Sequence, residues 1–171
     1  MLIGCIVHGD DQVPLLMGYP FMRTAIVTGA NRGVGCEVAR QLVVLGYCVI
    51  LTSRDERKGK RAVSELKQQL GATVPGDLLY HQLDVTDEES IQRLSHFVLS
   101  EFTAIDALVN NAAILLDQYG RVIQTPLDIY RTTMETNVYG PLRLCQVFLP
   151  LMLAQNYGRI VNISSGAGCI K

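Results

Sequence analysis

The chain has 171 residues, of which 49% are hydrophobic and 18% are charged, and its formal net charge is -1. This length and composition favour one folded domain with a buried core and exclude an intrinsically disordered chain. The charge balance provides no basic surface for nucleic acid, so chemistry on a small molecule is the better expectation.

The sequence predicts neither a membrane span nor a metal site. The longest apolar region, residues 42–52, is interrupted by Gly46 and falls short of the ~18 apolar residues that a span needs. The five cysteines lack Cys-x-x-Cys spacing, which favours free thiols in a reducing compartment and predicts a cytoplasmic protein. Residues 1–22 lack the basic start of a secretory signal and are interpreted as an N-terminal extension, followed by a domain over residues 23–171.

A glycine-rich turn over residues 28–35, Thr-Gly-Ala-Asn-Arg-Gly-Val-Gly, follows a β-branched run at residues 24–27. Apolar residues at helical spacing come next, so the turn predicts the connection from a strand to an amphipathic helix. These apolar residues are Val34, Val38, Leu42 and Leu45. Glycines let backbone N–H groups approach a pyrophosphate, and the helix N-terminus adds partial positive charge. The turn therefore predicts phosphate binding, with an ordinary glycine-rich connection as the alternative.

The second predicted strand, residues 48–52, is a continuous apolar run typical of a parallel strand buried on both faces. It ends at Ser53 and Arg54, where an acidic residue would bind the ribose 2′-hydroxyl of NAD(H). Arginine instead suits a 2′-phosphate, which its guanidinium binds in a bidentate fashion. Together with Arg32 in the glycine turn, Arg54 favours NADP(H) over NAD(H). The alternative is a surface charge that pairs with Asp55.

The next segments continue the alternation of helix and strand. Residues 55–70 predict a charged surface helix, and residues 78–83 predict the third strand. The third helix is expected to begin with a capping box, in which Thr86 is the N-cap and Glu89 occupies the third helical position.

The fourth predicted strand, residues 106–111, ends in Asn110 and Asn111. Two asparagines at the end of a buried strand are costly unless their amides are paired.

A long helix is predicted from Thr125, as N-cap, to about Leu153, with Pro126 at the first helical position. Pro141 follows Gly140 in its middle, removes an N–H and crowds the preceding turn, so an irregularity is expected near Asn137.

Five segments together resemble the short-chain dehydrogenase/reductase family, and its carbonyl reductases in particular. They are the Thr-Gly-x-x-x-Gly-x-Gly turn at 28–35, the Asp-Val pair at 84–85, Asn-Asn-Ala-Ala at 110–113, Glu-Thr-Asn at 135–137 and Ile-Val-Asn-Ile-Ser-Ser at 160–165. The resemblance covers residues 23–170. It implies an enzyme that transfers hydride between NADP(H) and a carbonyl or alcohol substrate.

The resemblance also implies the roles of individual residues. It places Ser165 at the substrate carbonyl and Asn137 in a proton relay. Around the cofactor it places Gly29, Asn31, Arg32, Gly33, Val34, Gly35, Arg54, Asp84, Val85, Asn111 and Ala112.

The expected fold is α/β, a Rossmann-type doubly wound parallel sheet with five strands in the order 3-2-1-4-5. The family's Tyr-x-x-x-Lys pair, which exchanges the proton with the carbonyl oxygen, does not occur, since none of the seven tyrosines has a lysine four residues later. We therefore expect a C-terminally truncated, incomplete sheet with impaired turnover. An exposed apolar edge at residues 160–163 and poor solubility should follow.

An alternative from another class is a catalytically inactive nucleotide-binding or interaction protein. It would pair with a full-length relative through the predicted helix over residues 125–153, which could also form a homo-oligomer.

Overall fold

The computed structural model describes residues 2–7, 22–116 and 122–164. The strands are β1 (Leu2–Val7), β2 (Thr24–Val27), β3 (Cys48–Ser53), β4 (Asp77–Gln82), β5 (Ala107–Asn110) and β6 (Gly158–Ile163). The helices are α1 (Gly33–Val44), α2 (Glu56–Leu70), α3 (Glu88–Glu101), α4 (Leu127–Met134) and α5 (Gly140–Ala154), with a π-helical segment at Glu135–Tyr139 between the last two.

The six strands form one sheet in the order β1-β6-β5-β2-β3-β4. Strands β2 to β6 are parallel, and their order confirms the predicted 3-2-1-4-5 arrangement. Every connection between neighbouring parallel strands has to cross from one end of the sheet to the other, and helices make these crossings.

Strand β1 corrects the expectation of an exposed edge at residues 160–163. It pairs antiparallel with β6, so that Leu2 lies opposite Ile163 and Val7 lies opposite Gly158. An unpaired strand edge offers a row of free N–H and C=O groups, and an extended apolar segment that reaches it can satisfy them. Strand β1 is then the edge strand of the sheet, and the poor solubility stays a prediction.

The core lies in two layers, one on each face of the sheet. Ile26 and Ile50 face one layer, where α3 and α5 contribute Leu94 and Phe148. Val27, Val49 and Leu51 face the other layer, where α1 and α2 supply side chains that include Ala39, Val43, Ala62 and Leu66. Both faces of the central strands are buried, which explains why these strands appear in the sequence as unbroken apolar runs.

The buried face of helix α1 matches its apolar spacing only in part, since Val38 and Leu42 are half-buried against the core. Gly35, Ala39 and Val43 are buried, whereas Val34 is 61% exposed and Leu45 is 71% exposed. Small residues face the sheet because the helix packs very closely against it.

Two helix starts also differ from prediction. Asp87, not Thr86, is the N-cap of α3, and its side chain accepts a hydrogen bond from the N–H of Glu89 at 3.0 Å. Thr86 instead donates to the Asp84 carboxylate. In α4 the N-cap position is held by Pro126, one residue later than expected.

Two further features of the described ranges bear on function. None of the helices in these ranges is long and apolar enough to cross a bilayer. Cys36 and Cys48 are free thiols.

The stability of the folded chain should depend on the protonation of His81 on β4. Its ring centroid lies 5.0 Å from that of Phe97, and within the described ranges its Nδ1 is buried without a hydrogen-bond partner. Burial lowers the pKa of His81 below its ordinary value of 6.5. As the pH falls through 6.5, His81 therefore becomes protonated in the unfolded chain before it does so in the folded chain. The free energy of unfolding is highest above pH 6.5 and decreases as the pH drops towards the folded-state pKa.

His81→Phe keeps an aromatic ring against Phe97. When the pH is lowered from about 7.5 to about 5.5, we expect the melting temperature of this variant to fall less than that of the natural chain. Thermal melts followed by circular dichroism measure this, with the exposed His96→Gln as the control. Equal losses in the natural chain and His81→Phe would contradict the assignment.

Candidate cofactor-binding site

The candidate site lies at the carboxyl ends of β2 and β5, the two central strands. Strands β3 and β4 lie on one side of β2, and β5 and β6 lie on the other. The chain leaves β2 towards α1 on one face and leaves β5 towards α4 and α5 on the opposite face. A reversal of strand order opens a crevice at this point, where ligands of parallel α/β sheets bind.

Thr28, directly after β2, joins the two strand ends. It is 1% exposed, and its Oγ1 accepts hydrogen bonds from the N–H groups of Asn111 and Ala112, each at 2.9 Å. The same hydroxyl donates to the carbonyl of Val109 at 3.3 Å. One side chain therefore satisfies two backbone donors at the end of β5 and fixes that end against β2.

The two asparagines at the end of β5 both donate hydrogen bonds from their amides, although the Oδ1 atom of Asn110 is buried without a hydrogen-bond partner among the described residues. Asn111 Nδ2 donates to the carbonyls of Thr28 at 2.8 Å and Gly29 at 3.2 Å. Asn110 Nδ2 donates to Asn162 Oδ1 on β6 at 2.9 Å. Both amides therefore serve as links between strands.

Gly29 and Gly35 allow the glycine turn to pack against this junction. Gly29 has φ of +61°, and a Cβ there would lie 2.8 Å from the Cα of Ala112. A Cβ on Gly35 would overlap the side-chain amide of Asn111. Only glycine permits this seating of the turn and of the first turn of α1.

The N-terminus of α1 carries no side-chain cap. Arg32 occupies the N-cap position with extended backbone and makes no capping hydrogen bond, and the first turn holds no acidic residue. The first N–H groups of a helix need a partner, and an anion is a suitable one.

This helix end faces a cavity of about 400 Å³. Its lining residues are Gly29, Asn31, Arg32, Gly33, Arg54, Leu83, Asp84, Val85, Asn111, Ala112, Ala113, Ile114 and Thr136. Backbone donors and cationic side chains thus line one concave surface, and this donor set fits a phosphate-bearing nucleotide.

Arg32 and Arg54 are both exposed, and neither forms an ion pair with another described residue. Asp55, the alternative partner of Arg54, instead caps α2 by accepting from the N–H of Lys58 at 2.9 Å. Its carboxylate also lies 3.5 Å from Lys58 Nζ. The cavity therefore carries two guanidinium groups that form no ion pair with any carboxylate of the described residues.

The turn after β4 forms the far wall of the cavity. Asp84 Oδ1 accepts from the N–H of Thr86 at 3.0 Å and from its hydroxyl at 2.7 Å. These bonds hold Asp84 and Val85 in a fixed turn beside the cavity.

The π-helical segment Glu135–Tyr139 confirms the irregularity expected near Asn137. The N–H of Gly140 donates to the carbonyl of Glu135, five residues back. Pro141 has no N–H, so the carbonyl of Asn137 lacks the donor that an α-helix would supply. The Asn137 side chain accepts from the N–H of Ile114 and donates to its carbonyl, both at 2.9 Å.

Most residues that were predicted to bind the cofactor line the cavity, but three of the described site residues do not, and a fourth predicted residue cannot be placed among the described ones. Val34 is exposed and Gly35 is buried beneath the turn. Asn137 lies behind Ile114, and Ser165 lies outside the described residues. Four lining residues were not predicted to bind the cofactor. Ala113 and Thr136 belong to the quoted motifs, whereas Leu83 and Ile114 only adjoin them.

Comparison with known proteins assigns the family. A profile of the short chain dehydrogenase family matches residues 23–171. The (+)-neomenthol dehydrogenase of Arabidopsis thaliana is 41% identical over 165 residues, which are 87% of this chain and 55% of that protein. Carbonyl reductase (NADPH) 1 of Bos taurus is 41% identical over 143 residues, 82% of this chain and 48% of that protein.

A solved metagenomic short-chain oxidoreductase in complex with NADP matches with a TM-score of 0.76 and 32% identity, covering 87% of this chain and 65% of that one. The chain belongs to the short chain dehydrogenase family, and its fold is that of the family's Rossmann-like sheet. It spans about half the length of the curated relatives it matches.

The Thr28 hydroxyl should be worth more to stability than an ordinary buried hydroxyl. Thr28→Val leaves two N–H donors, those of Asn111 and Ala112, without their partner, and each buried unsatisfied donor costs about 1–3 kcal/mol. A loss near 2 kcal/mol corresponds to a fall in melting temperature of roughly 4–8 °C for a chain of this size.

Thr52→Val is the matched control, because the buried Thr52 hydroxyl only donates one bond, to the carbonyl of Val27 at 3.3 Å. Urea melts should show the larger loss for Thr28→Val. A loss no greater than that of Thr52→Val would mean that the hydroxyl does not hold the junction.

Proposed function

We propose that this chain binds NADP(H) in the cavity between β2 and β5 and forms the cofactor-binding part of a carbonyl or alcohol oxidoreductase. The observation that carries the proposal is the combination, on one cavity, of an uncapped α1 N-terminus with two guanidinium groups, Arg32 and Arg54, that form no ion pair with a described residue. A dinucleotide with an additional 2′-phosphate supplies anionic groups for both.

Different residues around the cavity would bind different parts of the cofactor. The backbone N–H groups of residues 32–34 would hold the pyrophosphate, and the glycine turn gives it room. Arg32 and Arg54 would bind the 2′-phosphate, while Asp84 and Val85 would contact the adenine side. These roles are those that the family resemblance and the residue chemistry imply, and the presence of Arg32, Arg54, Asp84 and Val85 on one cavity supports them.

The nicotinamide end would lie towards Asn111, Ala112 and Ile114, since these residues line the cavity on the β5 side. When bound, NADPH supplies a hydride for the carbonyl carbon. The carbonyl of Asn137, which Pro141 leaves without a helical donor, would hold a water in the proton relay, and Ser165 would hydrogen-bond the substrate carbonyl.

Relatives support the choice of cofactor and of reaction. The bovine relative is named as an NADPH carbonyl reductase, and the metagenomic structure contains NADP. The Arabidopsis relative is named as a dehydrogenase of the alcohol (+)-neomenthol. We accordingly assign carbonyl or alcohol compounds as the substrate class.

We further propose that these 171 residues bind the cofactor but reduce carbonyl compounds only slowly. No tyrosine in the sequence has a lysine four residues later, so the pair that exchanges the proton in the family does not occur within it. NADPH titration followed by a carbonyl reduction assay should therefore show binding with little turnover.

A second candidate function is association through the helices α4 and α5. Five large apolar side chains along this helical rod are 43–62% exposed: Leu127, Met134, Val138, Leu142 and Leu153. Such a stripe fits a second copy of the chain or a full-length relative. Light scattering of the purified chain, with Leu142→Glu as the disrupting variant, tests this function.

The cofactor assignment predicts a selective effect of Arg54→Gln. Removal of a charged hydrogen-bond partner of the 2′-phosphate should weaken NADPH binding about 10- to 100-fold and leave NADH binding nearly unchanged. Isothermal titration calorimetry of both cofactors measures this.

Arg57→Gln on α2 is the control, because it removes the same charge at an exposed position that does not line the cavity. Equal affinity of the natural chain for the two cofactors, or an equal loss of both in Arg54→Gln, would overturn the NADP(H) assignment.

A further inference from the structure

A chain of hydrogen bonds outside the recognised motifs ends at the backbone of Arg54. Gln82, the last residue of β4, lies opposite Ser53 in the parallel register with β3. Its Nε2 donates to the carbonyl of Arg54 at 3.3 Å. Gln82 lies just before Asp84 and Val85, which are proposed to contact the adenine side of the cofactor. It holds the backbone of Arg54, which is proposed to bind the 2′-phosphate.

Ser90 in the first turn of α3 fixes the orientation of the Gln82 amide. Ser90 is fully buried, and its hydroxyl accepts from the N–H of Asp84 at 3.0 Å while donating to Gln82 Oε1 at 3.2 Å. A serine hydroxyl has one proton to donate. Because that proton goes to Oε1, the amide must present its NH₂ group towards Arg54.

The flanks of Arg54 are held independently of Gln82. The N–H of Leu83 donates to the carbonyl of Ser53 at 3.0 Å, and the Ser53 hydroxyl donates to the carbonyl of Asp55 at 2.8 Å. Loss of the Gln82 bond should therefore leave the strand ends in place. What it frees is the single peptide group from which the Arg54 side chain departs.

The Arg54 side chain has no ion-pair partner among the described residues, so its backbone is what directs it towards the cavity. We propose that Gln82, oriented by Ser90, is a positioning residue that sets the preference for NADP(H) over NAD(H) by fixing the Arg54 peptide. This inference rests on the proposed function of the cavity.

The two positioning residues should differ in which cofactor they affect. Arg54 is placed to meet only the 2′-phosphate, so loss of the Gln82 bond should weaken NADP(H) binding alone. Ser90 also accepts from Asp84, on the adenine side that both cofactors share. Loss of the Ser90 hydroxyl should weaken both cofactors. A role in folding alone would shift the melting temperature without changing the ratio of the two affinities.

The test uses calorimetric Kd values for NADPH and NADH on the full chain. Gln82→Leu has a similar volume and cannot hydrogen-bond, and we expect it to raise the Kd for NADPH about fivefold while that for NADH changes less than about twofold. Gln82→Glu can accept from Ser90 but cannot donate to Arg54 when ionised, and it adds a negative charge, so its loss of NADPH affinity should be larger. Ser90→Ala should raise both Kd values, and that for NADPH more than that for NADH, because it removes the bond to Asp84 and also releases the Gln82 amide.

Gln69→Leu on the exposed face of α2 is the matched control and should change neither Kd. Should Gln82→Leu fail to fold, Gln82→Met, which is also uncharged and cannot donate to the Arg54 carbonyl, carries the same test. A natural chain that prefers NADPH, combined with Gln82 variants whose ratio of affinities equals that of the natural chain, overturns this inference and leaves the proposed function intact. A natural chain without preference for NADPH overturns both.

Discussion

The site depends on one shared hydroxyl, that of Thr28. It lies where β2 ends and accepts from two consecutive backbone N–H groups after β5, at 2.9 Å each. Asn111 adds a second set of bonds between the same two segments, because its side-chain amide donates to the carbonyls of Thr28 and Gly29. The strand order reverses between β2 and β5, so the bonds that join the ends of these two strands also fix the position of the crevice beside them. Buried polar groups in such a network are costly to leave unpaired, and here each one serves the geometry of the glycine turn.

The two sides of the crevice differ: one carries cationic groups without carboxylate partners among the described residues, and the other is hydrogen-bonded internally. Arg32 and Arg54 remain unpaired with carboxylates of the described residues, and the N-terminus of α1 remains without a capping side chain. A chain selected for stability alone would satisfy these groups, so their exposure on one cavity indicates a ligand. The opposite wall is satisfied internally, by bonds from Thr86 to Asp84 and by the Asn137 amide against the backbone of Ile114. Near the same wall, Pro141 removes the α-helical donor of the Asn137 carbonyl.

The sequence predicts the parallel sheet well because strands buried on both faces appear as continuous apolar runs, as at residues 48–52, and because glycine turns mark the strand-to-helix junctions. Strand β1 is not predictable in this way, since its pairing with β6 joins opposite ends of the chain and depends on which edge is free. The start of α3 is ambiguous locally, because Thr86 and Asp87 are both good caps and only the tertiary position of Asp84 decides between them. The buried face of α1 follows from its closeness to Asn111, which periodicity alone does not show. The Gln82 and Ser90 pair carries no sequence signal at all.

The central claim is that the backbone donors at the start of α1 hold a phosphate-bearing nucleotide. An NMR titration of the isotopically labelled chain with NADPH tests it most directly, because each amide of the glycine turn reports on its own environment. The account predicts that the largest shifts fall on the amides of Arg32, Gly33 and Val34, with smaller shifts at Arg54 and Asn111. Unchanged glycine-turn amides, with shifts confined to the separate cavity beside Lys67 and Asp77 at the other end of α2, would contradict it.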